Sequence, residues 1–214
     1  MSAQEAEASA LRGPEPDDAA SVVRGGERMS VTVTARAEID YTSLSCSPGI
    51  GKLITKPDSA DLIEGVRITP VAVWPDDRGY FLEVVRMGKE LVADFPAATT
   101  QISAALSYPG TIKAFHFHNH QADCWTPVQG MFQVALVDLR SGSPTWGIRN
   151  TMYVGVLRPW QILIPPGVAH GYKVVGADPA MLVYLTDRFY DPADEGRIPY
   201  NDPHIQYDWE TQHK

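Results

Sequence analysis

Residues 110–130 read GTIKAFHFHNHQADCWTPVQG, and this stretch decides the fold. In a strand, side chains two apart share a face, so His116 and His118 point the same way. His120 would join them if the strand continued, but Asn119 and Gln121 signal a turn, which leaves His120 a solvated turn residue. Asp123 opens the next apolar run. A fourth histidine, His170, follows in IPPGVAHGY, where Pro165, Pro166 and Gly167 make a tight turn feeding another strand. Imidazoles and a carboxylate brought to one face can work as acid and base, or hold a transition metal. His204 is expected in a surface loop and His213 in the tail.

Working outward, GVRITPVAVW, GYFLEVV, TTQISAALSY, MFQVALVDL, TMYVGVL, WQILIP and AMLVYLT are short runs rich in Val, Ile, Thr and aromatics. Turn residues bound them: DDRG, YPG, SGSP, PPG and GADP. One short helix is predicted at MGKELVADF. In MFQVALVDL both alternating faces are apolar, which suits a sheet packed on one side and lining a narrow cavity on the other. Many short strands without βαβ spacing predict an all-β sandwich or jelly roll.

Of the 20 Phe, Trp and Tyr, only Tyr41 lies in residues 1–60, so the chain divides into an N-terminal extension at 1–60 and a domain at 61–214. The first 30 residues are rich in Ala, Glu, Asp, Pro and Gly and cannot bury enough apolar surface to offset chain entropy, so they are expected to be disordered. SVTVTARAEI alternates like a strand, and SCSPGIGK is loop chemistry. A net charge of −8 offers no basic face for nucleic acid. No apolar run reaches the roughly 18–20 residues that span a bilayer. Two cysteines, Cys46 and Cys124, are too few for a disulfide framework. The expectation is a soluble, cytoplasmic protein with no nucleic-acid or membrane partner.

Gly110, His116, His118, Asp123 and Gly130 fall at the spacing of the first metal motif of the cupins, with Asp where Glu is usual, and Pro165–His170 resembles the second. Residues 62–209 as a whole resemble the dTDP-4-dehydrorhamnose 3,5-epimerase family of cupins. The matching pieces, in family order, are Asp77–Glu83, Gly110–His116, Val137–Arg140 with Ser143–Gly147, Ile164–Tyr172, Leu182–Tyr184, and Tyr190–Pro192 with Glu195 and Asn201–Pro203, ending at Trp209. The resemblance implies a cupin jelly-roll barrel and a sugar-nucleotide isomerase that epimerises an NDP-4-keto-6-deoxy-hexose without a metal or redox cofactor. It implies His116 as the base and Tyr184 as the acid, with Lys113 and His170 beside them. Arg78, Glu83, Gln101, His118, Asp123, Tyr172 and Tyr190 are then expected around the substrate. It also implies a homodimer in which GVRITPVAVW adds to the partner's sheet.

Several positions depart from the family. The family usually has Arg at Lys113, Gln at His118 and Lys at Asp123. It also usually has an Asp beyond the Trp that orients the catalytic histidine; Asp123 and Asp202 are the candidates for that task here. Asp123 is expected to pair with Lys113 or a protonated His116. The same changes complete a possible metal set of His116, His118, Asp123 and His170. Two alternatives therefore stand beside the epimerase: a metal-dependent cupin enzyme, and a non-catalytic sugar-nucleotide-binding module.

Overall fold

A computed structural model describes residues 38–210 of the 214-residue chain. The expected disorder of 1–30, most of SVTVTARAEI, and His213 lie outside the described residues. The architecture is all-β and cupin-like. One sheet has six strands in the order β1 (Lys52–Leu53), β9 (Arg149–Gly155), β8 (Met131–Asp138), β11 (Val168–Val175), β6 (Ile112–His118) and β13 (Glu195–Arg197). The other has five, ordered β2 (Arg67–Pro70), β10 (Trp160–Ile164), β7 (Asp123–Gln129), β12 (Ala180–Thr186) and β5 (Gln101–Ser107). A separate hairpin pairs β3 (Val73–Asp76) with β4 (Gly79–Leu82).

The expected runs all carry strands. β8 shows how a run that is apolar on both faces is used. Phe132, Val134 and Leu136 enter the core between the sheets, with Met152, Val154, Ile162, Ile164 and Trp125. Ala135 and Val137 face the other way, into a second core under Phe115, Ile205, Tyr207 and Trp209. The second face thus packs against chain rather than lining a narrow cavity, as the alternation suggested. Full burial of each large aliphatic or aromatic side chain contributes about 1.5–3 kcal/mol, so both layers are needed.

Two further features differ from the sequence reading. The helix expected at 87–95 is a single 3-10 turn, Glu90–Val92, set between loops. Gly88 and Pro96 leave little room for a longer helix, and Leu91, Val92 and Phe95 instead cover the outer face of the five-stranded sheet at Cys124, Leu163 and Leu185. Residues 38–60 also pack as part of the fold. Ile39 bridges Arg140, Leu44 is buried in the second core, and β1 runs parallel to β9. The first half of GVRITPVAVW pairs with β10 of the same chain, through Arg67–Pro70.

Candidate active site

A cavity of about 350 Å³ is lined by residues of both sheets. The six-stranded sheet contributes Lys113, His116 and His118 from β6, His170 and Tyr172 from β11, and Glu195 and Arg197 from β13. The five-stranded sheet contributes Asp123 and Trp125 from β7, Leu182, Tyr184 and Thr186 from β12, and Gln101 and Ala105 from β5. Tyr190 closes the rim. Strict alternation would put Lys113 and His116 on opposite faces. A register shift on β11 between His170 and Tyr172 pairs them with His116 and Lys113, and this irregularity brings both β6 residues to the cavity.

The bend between β6 and β7 is pinned from outside. Asp194 is buried, and its carboxylate accepts from the backbone N–H of Asn119, His120 and Gln121. His120 is exposed in that bend, as its neighbours indicated. His118 and Gln121 are thereby fixed inward.

His116 Nδ1 lies 2.5 Å from Glu195 Oε1. The other oxygen, Oε2, accepts from the Tyr190 hydroxyl at 3.0 Å and the Arg197 guanidinium at 3.1 Å. Burial alone would raise the Glu195 pKa, but the hydrogen bonds from His116, Arg197 and Tyr190 outweigh it and bring it down to about 2. Neither acid expected to orient His116 does so. Asp202 Oδ1 accepts from the N–H of His204 and Ile205 in the C-terminal loop. Asp123 stands on the opposite sheet.

Asp123 is almost wholly buried. Its Oδ1 accepts from Gln121 Nε2 at 2.7 Å and its Oδ2 from the Trp125 indole at 3.1 Å. His170 Nε2 is 3.6 Å from Oδ2 and His118 Nε2 is 4.0 Å from Oδ1. Desolvation raises the Asp123 pKa. The expected pairing with Lys113 or His116 is not formed; Lys113 instead lies over the Tyr172 ring, 5.9 Å from its centroid. His170 Nδ1 is bonded to the Val168 carbonyl at 3.0 Å, so it carries a hydrogen and leaves Nε2 as a lone pair. Burial lowers the His170 pKa to about 4 and that of His118 in the same direction. Donor atoms of His118, Asp123 and His170 lie within 4.8 Å of one another, close enough to hold a metal ion. His116, engaged with Glu195, falls outside that group, so the four-residue metal set is reduced to three.

The other expected substrate residues divide. Gln101 lines the cavity, donating to Ser103 and accepting from the Tyr190 N–H. Tyr172 is buried against Ser107, with the two hydroxyls 2.9 Å apart. Arg78 and Glu83 lie outside this cavity. Arg78 caps the hairpin turn through Asp76, and Glu83 pairs with Arg86 beside a smaller cavity lined by Trp74 and Gln161. Among the described residues, the Tyr184 hydroxyl and His116 Nε2 have no hydrogen-bond partner, and Lys113 has no ion pair. The buried His118 Nδ1 also has no partner among the described residues, so it too is left uncommitted in the cavity.

Fold and cavity together define a cupin-like sandwich with an imidazole–carboxylate pair on one wall and a free phenol on the other. The model of the dTDP-4-dehydrorhamnose 3,5-epimerase family matches residues 61–214, and the chain belongs to that family. A spore coat polysaccharide biosynthesis protein of Bacillus subtilis, SpsL, is 43% identical over 153 residues, covering 71% of this chain and 99% of SpsL. The crystal structure of NovW, a 4-keto-6-deoxy sugar epimerase from the novobiocin cluster of Streptomyces spheroides, is 31% identical with a TM-score of 0.61, covering 70% of this chain and 76% of NovW. The dTDP-6-deoxy-D-glucose-3,5-epimerase of Legionella pneumophila, solved with dTDP-4-keto-L-rhamnose, is 27% identical with a TM-score of 0.61, covering 71% of this chain and 82% of that one.

Proposed function

We propose that the protein epimerises a dTDP-linked 4-keto-6-deoxy-hexose at a carbon next to the ketone, with His116 as base and Tyr184 as acid. The observation that carries this is their placement on opposite walls: His116 on β6 of one sheet, Tyr184 on β12 of the other, both lining one cavity. Inversion requires a proton to leave one face of the carbon and another to arrive on the opposite face. His116 Nε2 takes the first. The enolate that results places negative charge on the former ketone oxygen, and Lys113, a cavity cation with no ion pair among the described residues, is available to meet it. Tyr184 delivers the second proton. Solvent then removes the proton from His116 and restores that of Tyr184, so the cycle balances without a redox step.

Asp123 is compatible with the same reading, because both of its oxygens are already occupied by the Gln121 amide and the Trp125 indole. Gln101, Tyr172, Tyr190, His118 and His170 shape the sugar pocket. The domain at 61–214, with 38–60 packed on it, is the catalytic unit, acting in the cytoplasm. A homodimer belongs to the same proposal. The β3–β4 hairpin exposes Trp74 and Phe81, and the edge strand β5 exposes Ile102 and Leu106; partner chains cover such edges and patches. Arg78 and Glu83, carried on or beside that hairpin, are then placed to serve a partner's cavity. The test is incubation with a dTDP-4-keto-6-deoxy-hexose and NMR analysis of the sugar; inversion next to the ketone is expected, and an unchanged sugar counts against the reading.

A second reading follows from the buried His118–Asp123–His170 group. Two neutral imidazoles and a carboxylate form a donor set for Fe, Mn, Co, Ni or Zn, and such an ion would supply positive charge in the cavity. Elemental analysis of the purified protein separates the readings. Stoichiometric metal, lost together with activity in His118→Ala, favours this one.

A further inference from the structure

We infer that Glu195 is the positioning residue that sets the tautomer and the aim of His116. The inference deepens the proposed reaction and rests on His116 being its base. Glu195 sits at the start of β13, which pairs antiparallel with β6 so that Arg197 lies opposite His116 and Glu195 opposite His118. The strand is locked on both sides of the acid. Ile198 exchanges backbone hydrogen bonds with Phe115 at 2.8 and 3.0 Å, and the Asp194 carboxylate holds the bend after β6. Gly196 is needed between them, because a Cβ there would run into the Phe117 ring.

The carboxylate itself has little freedom. Its side chain is only 10% exposed, and Oε2 is held by Tyr190 and Arg197 while Oε1 faces His116. An ionised carboxylate only accepts hydrogen bonds, so the hydrogen between the two groups belongs to His116 Nδ1. Nε2 is then the lone pair, and it is the nitrogen left for the substrate. When Nε2 takes a proton, the imidazolium already faces an anion through a charge-assisted bond of the stronger class. Tyr190 and Arg197 act one step further out by keeping that anion in place. Arg197 is thus tied to Glu195 although its side chain is largely exposed, whereas Lys113 has no ion pair among the described residues. The signal in the sequence is slight: Glu195 lies 79 residues from His116, in a three-residue strand after a loop.

The test combines kinetics and nitrogen NMR on the full chain. In the wild-type protein, the neutral His116 ring is expected to carry its hydrogen on Nδ1, facing Glu195. Glu195→Gln should lower kcat by about 10²–10⁴, the range for loss of effective acid–base catalysis, with a much smaller change in KM and a mixed tautomer at His116. Glu195→Asp keeps the charge but is one methylene short, so it should recover part of the rate. If Glu195→Gln does not fold, the wild-type spectrum still decides. An Nε2–H tautomer at His116, or wild-type kcat in Glu195→Gln, overturns the inference. Absence of any epimerisation by the wild type would instead sink the proposed reaction and leave the tautomer readable.

Discussion

In the proposed reaction His116 and Tyr184 have different tasks, and substitution should separate them. His116→Ala removes a cavity group whose Nε2 is without a partner among the described residues and whose Nδ1 is backed by the Glu195 carboxylate. It should abolish proton exchange next to the ketone, a loss of about 10²–10⁴ or more in rate. Tyr184→Phe removes a single oxygen from a half-buried side chain and leaves the wall intact. Substrate-proton loss should continue while inverted product falls much further, measured as wash-out against product formation. At this scale the sequence was informative where spacing carries chemistry. The strand period placed His116 and His118 together, and the family pattern pointed to Tyr184. It was uninformative about Glu195, because nothing local in the sequence says which distant carboxylate a short strand will deliver. It also misjudged Asp123, whose burial between Gln121 and Trp125 depends on the facing sheet.

Among the elements, the β6–β11 pair controls the site. Gly171 sits beside the register shift, and a Cβ there would collide with the Ala114 side chain and the Lys113 carbonyl. Gly171→Ala should therefore cost about 1–3 kcal/mol, as overpacking does. It should also lower activity beyond the stability loss, because Lys113, His116 and His170 flank that shift. Denaturant unfolding and kinetics on one preparation test both parts; wild-type values for both would show that the close approach has no role. A second element lies far from the chemistry in sequence. Trp209 packs on Phe115, ring centroids 5.5 Å apart, directly before His116. Trp209→Ala should cost about 3–5 kcal/mol, read as a shifted unfolding midpoint. The strands were legible because Val, Ile and aromatic runs between turn residues need little context. The β6 irregularity and the packing of 38–60 were not, since both depend on what the opposing chain offers.

For the whole molecule, acid should loosen the fold in a defined order. His170 ordinarily titrates near 6.5 but is held to about 4 by burial, so between these values the unfolded chain binds a proton that the folded one refuses. Stability then falls as pH falls. Glu195, ordinarily near 4.5 and brought to about 2, continues the loss below pH 4.5. Asp123, raised by burial, works in the opposite sense and offsets part of it. Thermal melts between pH 7 and 3 should show a declining midpoint; a flat profile would mean these groups titrate alike in both states. The proposed dimer predicts a mass of two chains by light scattering at micromolar concentration, and a monomer would remove the proposed cover of the β3–β4 hairpin by a partner.

The central claim is proton transfer across the cavity from opposite walls, and deuterium incorporation measures it directly. In D2O with a dTDP-4-keto-6-deoxy-hexose, the wild-type protein should place solvent deuterium at the carbon next to the ketone together with inversion. Tyr184→Phe should release the substrate proton with little inverted product, and His116→Ala should do neither. Inversion without deuterium, or undiminished incorporation by His116→Ala, would contradict the account.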